Sequence, residues 1–241
     1  MLVLDGSVSP YLPPRELLEA PADELLADRG ASELARMLRE RLAHLHGVAP
    51  SRIALFPDHA AGMARLVRSR PGNYVAGYGP TLFDWSDLAP FSEPITIERS
   101  SRFRIEQPQI EATPPGSTAL VMTPNDPTGN AIGLTAVAQL AHRAGLLILD
   151  ERSAEMQRRS MIPLVEEFDS IVLLRSFRAW AGLEEETPAY AITTDRIVAA
   201  VRSSGKMGIP RVLWAPAGSR QPGRRESRGR RPRRPADAPL R

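Results

Sequence analysis

Leu120-Val-Met-Thr-Pro-Asn-Asp-Pro-Thr-Gly-Asn130, with Leu146-Leu-Ile-Leu-Asp-Glu-Arg152 after it, is the stretch on which the fold turns. Residues 118–122 form a short apolar run and read as a buried strand. The run breaks into Thr123-Pro-Asn-Asp-Pro-Thr-Gly129, whose turn residues cannot continue a strand or a helix. A helical pattern follows over 135–144, then a second apolar run ending in Asp150-Glu151. Strand, Pro/Gly turn, helix and strand make one βαβ unit. Ligands of such units sit at the carboxyl ends of the strands, where the turn and Asp150 meet.

Working outward, a helix with Leu34, Leu38, Leu42 and Leu45 on one face is capped by Ser32 and stopped by Gly47. A strand is expected at 53–56. The next helix begins at Pro57-Asp58-His59, with Asp58 read as its N-cap. Residues 74–78 read as a strand, and Gly79-Pro80-Thr81 leads to a helix bearing Phe83 and Trp85. Further strands are expected at 94–98, 170–174 and 189–193. Helices are expected at 107–112, at 162–168 and from Asp195 to about 204.

The chain has 241 residues, no Cys and a single lysine, Lys206. The missing cysteines exclude a disulfide frame and a thiolate metal site. The first residues lack a basic lead and a long apolar core, so no signal peptide is read. No apolar run has membrane-spanning length. The formal charge is +3, yet residues 220–241 carry nine Arg against Glu226 and Asp237 and alone hold +7. The high isoelectric point therefore belongs to the tail. Three parts are expected: an N-terminal arm at 1–30, a main domain at 31–217 and a disordered Arg/Pro-rich tail at 218–241.

The turn, the strand end and their spacing resemble the large domain of the fold type I pyridoxal-phosphate-dependent aminotransferases. Within that group the chain is most similar to the class I/II histidinol-phosphate aminotransferases. These carry an Asn-Pro-Thr-Gly turn, Asp-Glu-Ala-Tyr at the next strand end, and Arg-Ser/Thr-Phe-Ser-Lys after another strand. The counterparts here are Asp126-Pro-Thr-Gly129, Asp150-Glu-Arg-Ser153 and Arg175-Ser-Phe-Arg-Ala179. The resemblance implies a three-layer α/β/α sandwich with a mainly parallel central sheet. It covers residues 5–214 and leaves the C-terminal small domain largely missing, so the chain reads as truncated. It also implies a cytoplasmic homodimer that acts on an amino acid or amino-alcohol phosphate.

The resemblance assigns pyridoxal 5′-phosphate as cofactor and places residues around it. Asp150 would lie under the ring nitrogen and Asp126 beside the ring oxygen. Ser176 and the helix start at His59 would lie at the phosphate. Trp85 would stack on the ring, or serve as core. The Schiff-base lysine position is Ala179, and a neighbouring guanidinium, Arg178, cannot form the imine. Ser153 stands for the tyrosine, and Glu184, Glu185 and Glu186 occupy a stretch that would face the phosphate. The expected function is an aminotransferase family member, catalytically impaired at Ala179. The alternatives are a non-catalytic phosphate- or partner-binding pseudoenzyme, and nucleic-acid binding through the basic tail. The tail has no aromatic residue for base stacking, which ranks nucleic acid last.

Overall fold

A computed structural model describes residues 31–69, 74–81, 93–157, 160–177 and 188–203. The expected arm, Trp85, Arg178, Ala179, the glutamates at 184–186, Lys206 and the basic tail lie outside the described residues.

Helix α1 (Ala31–His46) and a short 3-10 turn (Pro50–Arg52) lead into β1 (Ile53–Phe56), α2 (His59–Ser69) and β2 (Tyr74–Gly79). Next come β3 (Glu93–Glu98), α3 (Gln107–Ala112), β4 (Thr118–Met122), α4 (Leu134–Arg143) and β5 (Leu146–Asp150). The remainder is α5 (Ala154–Gln157), α6 (Ile162–Glu167), β6 (Ile171–Ser176), β7 (Ala189–Ile192) and α7 (Asp195–Ser203). The strands form one mixed sheet in the order β1-β7-β6-β5-β4-β2-β3. All pairs from β6 to β3 are parallel, whereas β7 runs antiparallel to both β6 and β1. Because β7 opposes both its neighbours, β1 points the same way as β6. The carboxyl ends of β1, β2, β4, β5 and β6 therefore share one edge.

Strands β5 and β6 are buried along their whole length, as parallel strands covered on both faces must be. Alternate residues feed two cores. Leu147, Leu149, Leu173 and Tyr190 meet Leu42 of α1, Leu140 of α4 and Val165 of α6 on one face. Leu146, Ile148, Val172 and Leu174 meet Met63 and Leu66 of α2 and Val198 of α7 on the other. Each side chain moved from water into such a core contributes roughly 1.5–3 kcal/mol. The three-layer sandwich with a mainly parallel sheet is thus the observed architecture.

Two details of α1 differ from the sequence expectation. The helix already includes Ala31, so Ser32 lies inside it and not at its cap; a helix start is shared among neighbouring residues and a serine does not fix it alone. Leu34 and Leu42 are buried, but Leu45 is 64% exposed at the rim of the apolar stripe in the last turn. Gly145 marks a tight point. Its N–H donates to the Ser117 carbonyl, and a Cβ there would lie 2.5 Å from the Gly116 carbonyl oxygen.

Candidate functional site

Residue Asp58 ends the β1 turn and caps α2: its Oδ1 accepts the Ala61 N–H at 2.7 Å, and its carbonyl accepts the Gly62 N–H at 3.1 Å. Gly62 lets the helix start press onto the sheet. A Cβ at this position would lie 3.0–3.1 Å from Phe56 and Leu174. That approach carries His59 across to the end of β5. His59 Nε2 donates to Asp150 Oδ1 at 3.0 Å, joining residues from the ends of β1 and β5, which have two strands between them in the sheet.

Asp150 is 4% exposed. Besides His59 it accepts the Arg152 backbone N–H at 3.2 Å on Oδ1. The Arg152 side chain folds back and donates from Nε to both oxygens, at 3.1 and 3.0 Å, and from a terminal nitrogen to Oδ2 at 2.5 Å. Four donors thus meet a carboxylate with about four lone-pair sites. Burial alone would raise this carboxyl; the charges of His59 and Arg152 and their hydrogen bonds outweigh it and hold Asp150 well below the usual carboxylate range.

Glu151, one residue on, faces the other side of the sheet, as strand alternation requires. Its Oε2 accepts Arg175 Nε at 3.1 Å, Arg175 Nη2 at 2.8 Å and Ser160 Oγ at 2.9 Å. Its Oε1 accepts the Met161 N–H at 2.8 Å. Arg175 also donates to Glu155 at 3.0 Å. This buried pair ties the ends of β5 and β6 to the start of α6. Ser176, expected at the phosphate, is the buried last residue of β6, opposite Ala189.

The turn after β4 is organised by Asn125. Its side chain donates to the Pro80 carbonyl and to Thr128 Oγ1, and its Oδ1 accepts Arg99 at 3.0 Å. Gly129, at φ +71°, closes the turn by donating to the Asn125 carbonyl. The Arg99 guanidinium is buried and bonds the carbonyls of Tyr78 and Met122; among the described residues no carboxylate pairs with it, and burial lowers it to about 10. Asp126 is exposed on this turn, with its backbone N–H donating to the Met122 sulfur.

Of the residues expected at the site, the fold brings Asp150 and His59 into contact and sets Ser176 at the adjacent strand end. Asp126 stands apart on the turn. Trp85 and Ala179 lie outside the described residues. Sequence reasoning missed Arg152 as the partner of Asp150, and Glu151 as the partner of Arg175. The available signal was an arginine two residues after a strand-end aspartate. A surface concavity of about 620 Å³ between α3 and α4 holds none of these groups. Among the described residues no group of three or more His, Cys, Asp or Glu could hold a metal ion, and no helix is long and apolar enough to cross a membrane.

No protein-family model matches the chain. The histidinol-phosphate aminotransferase of Pyrococcus furiosus is 29% identical over 204 residues, which cover 82% of this chain and 60% of that protein. The enzyme of the same name from Thermococcus kodakarensis is 27% identical over 82% of this chain and 61% of its own length. Among solved structures, the histidinol-phosphate aminotransferase from Clostridium acetobutylicum superposes with a TM-score of 0.75 at 12% identity, covering 87% of this chain and 66% of that one. Aspartate aminotransferase from Thermus thermophilus with maleate gives 0.71 at 18% identity, over 87% and 62%. The chain is similar to histidinol-phosphate aminotransferases over most of its length. It spans about three-fifths of the length of the curated relatives it matches.

Pyridoxal 5′-phosphate does not fit the described residues that the fold brings together here. The carboxylate that would face its ring nitrogen is already surrounded by donors. The start of α2, which would face its phosphate, holds the Asp58 carboxylate. A second anion there would meet like charge.

Proposed function

We propose that this aminotransferase relative is non-catalytic, keeping the large-domain scaffold without the means to hold pyridoxal phosphate as an imine. The observation that carries the reading is the Asp58 carboxylate seated on the first turn of α2, 2.7 Å from the Ala61 N–H. A helix N-terminus is an anion site only while its N–H groups and its partial positive charge are unspent. Ala179 supports the same reading, because alanine has no nucleophile to form the carbon–nitrogen bond. The remaining role is association: the chain pairs with a second copy or with a complete subunit of the same fold. An amino-acid or amino-alcohol phosphate would be the substrate only of a catalytic relative.

The test is incubation with pyridoxal phosphate, borohydride reduction and mapping of the modified peptide, alongside a transamination assay. The expected result is no stoichiometric pyridoxyl adduct and no turnover. A stoichiometric adduct accompanied by turnover, at Lys206 or elsewhere, overturns the reading.

A further inference from the structure

We propose that Arg152 is a built-in stand-in for a cofactor's pyridinium, holding the Asp150 carboxylate and so closing the end of β5 to pyridine ligands. The inference deepens the non-catalytic reading and rests on the end of β5 being the place of the ring. A protonated pyridine offers one cationic N–H. Arg152 offers two cationic donors, Nε and a terminal nitrogen, and adds its own backbone N–H, all within 3.2 Å of one carboxylate. A forked guanidinium–carboxylate contact is stronger and more directional than a single charged hydrogen bond. His59 holds Oδ1 from α2. With Arg152 shortened, Asp150 therefore keeps His59 and the backbone N–H of residue 152, both on Oδ1, and regains an open Oδ2. Among the described residues no other element contributes a partner to this carboxylate.

The geometry assigns Arg152 a position in which it competes with ligand, and a competitor can be removed. The full chain is compared as wild type, Arg152→Ala and Arg152→Met; the methionine keeps much of the stem's volume. Two probes are used in equilibrium dialysis: pyridoxamine 5′-phosphate, and its carbocyclic analogue with CH in place of the ring nitrogen. Both carry the phosphate that Asp58 opposes, so that contribution cancels between them. Wild type should bind the two probes within about twofold of each other. Each variant that retains the wild-type melting transition should bind the pyridine compound tenfold or more tighter than wild type does. It should gain less than twofold for the carbocycle, since a charge-assisted hydrogen bond is at stake. A wild type that already prefers the pyridine tenfold overturns the proposal whatever the variants do. Equal gains for both probes overturn it too, by reducing Arg152 to a space-filler, as does a folded variant with no gain. Transamination by wild type would instead defeat the non-catalytic reading, and the borohydride experiment detects that separately.

Discussion

Replacing Glu151 by Gln should destabilise the fold by about 3 kcal/mol. The figure follows from how the carboxylate is used. Its Oε2 takes three donors, two from Arg175 and one from Ser160, while its Oε1 takes the Met161 N–H. A glutamine has one oxygen and one NH2. With the oxygen toward Arg175, the NH2 meets the Met161 N–H donor to donor; with the amide flipped, the guanidinium loses its acceptor. An unsatisfied buried group costs roughly 1–3 kcal/mol. Breaking a buried ion pair from one side costs roughly 3–5 kcal/mol. Glu155 still holds Arg175 at 3.0 Å, which places the total near the lower end. With a urea slope of about 2 kcal/mol per molar, the midpoint should fall by about 1.5 M. Arg175→Met should cost a similar amount, because it strands Glu151 instead. The double variant should cost at least about 2 kcal/mol less than the sum, since each single change leaves a buried partner that the other removes. Urea titrations followed by circular dichroism measure all three. A shift below about 0.5 M for Glu151→Gln, or an additive double variant, refutes the reasoning, since the singles would then share no penalty.

Ala179→Lys alone should give no visible imine band with pyridoxal phosphate, while Ala179→Lys with Arg152→Ala should give one; a band from the single variant contradicts the role assigned to Arg152. Tyr78 and Tyr190 are both pushed up to about 12, chiefly by burial, against about 10 for an ordinary tyrosine. The folded chain keeps these phenolic protons where the unfolded chain has lost them. Their contribution is therefore complete below about pH 10 and disappears as pH rises through about 12, roughly 2–3 kcal/mol for each. Melting curves across that range should show the loss, and Tyr78→Phe should flatten the slope by about half. Gly145→Ala would drive a Cβ against the Gly116 carbonyl oxygen. Backbone meeting backbone cannot yield cheaply, so a cost of roughly 2 kcal/mol, or about 5 °C in Tm, is expected; an unchanged Tm would mean that the β4–β5 approach is looser than described.

Much of the scaffold was legible because it rests on local pattern. The run at 53–56 is β1, and the helical pattern at 135–144 is α4 to within a residue at each end. Asp58 read as an N-cap and is one. Thr194 likewise precedes α7, with its oxygen accepting the Ile197 N–H. The site was less legible because its contacts are long-range. His59 and Asp150 are 91 residues apart and meet only because β7 is inserted antiparallel, with β6, between β1 and β5. No local period encodes that insertion. Arg152 is close in sequence, but whether its side chain turns back to Asp150 or outward depends on a buried carboxylate already paired from α2. Glu151 and Arg175 were both in quoted motifs, yet their pairing needs the β5–β6 register.

Asp150 and Glu151 stand back to back on one strand end, and the two carboxylates report to different layers. Asp150 belongs to the face covered by α2; Glu151 belongs to the face covered by α6. They share no hydrogen-bond partner. Changes at sites without shared partners act independently. Substitutions at His59 or Arg152 can therefore accumulate over generations without reaching the clamp that Glu151 and Arg175 maintain. A lineage built on this arrangement can exchange the partners of Asp150 while the clamp on the opposite layer stays whole.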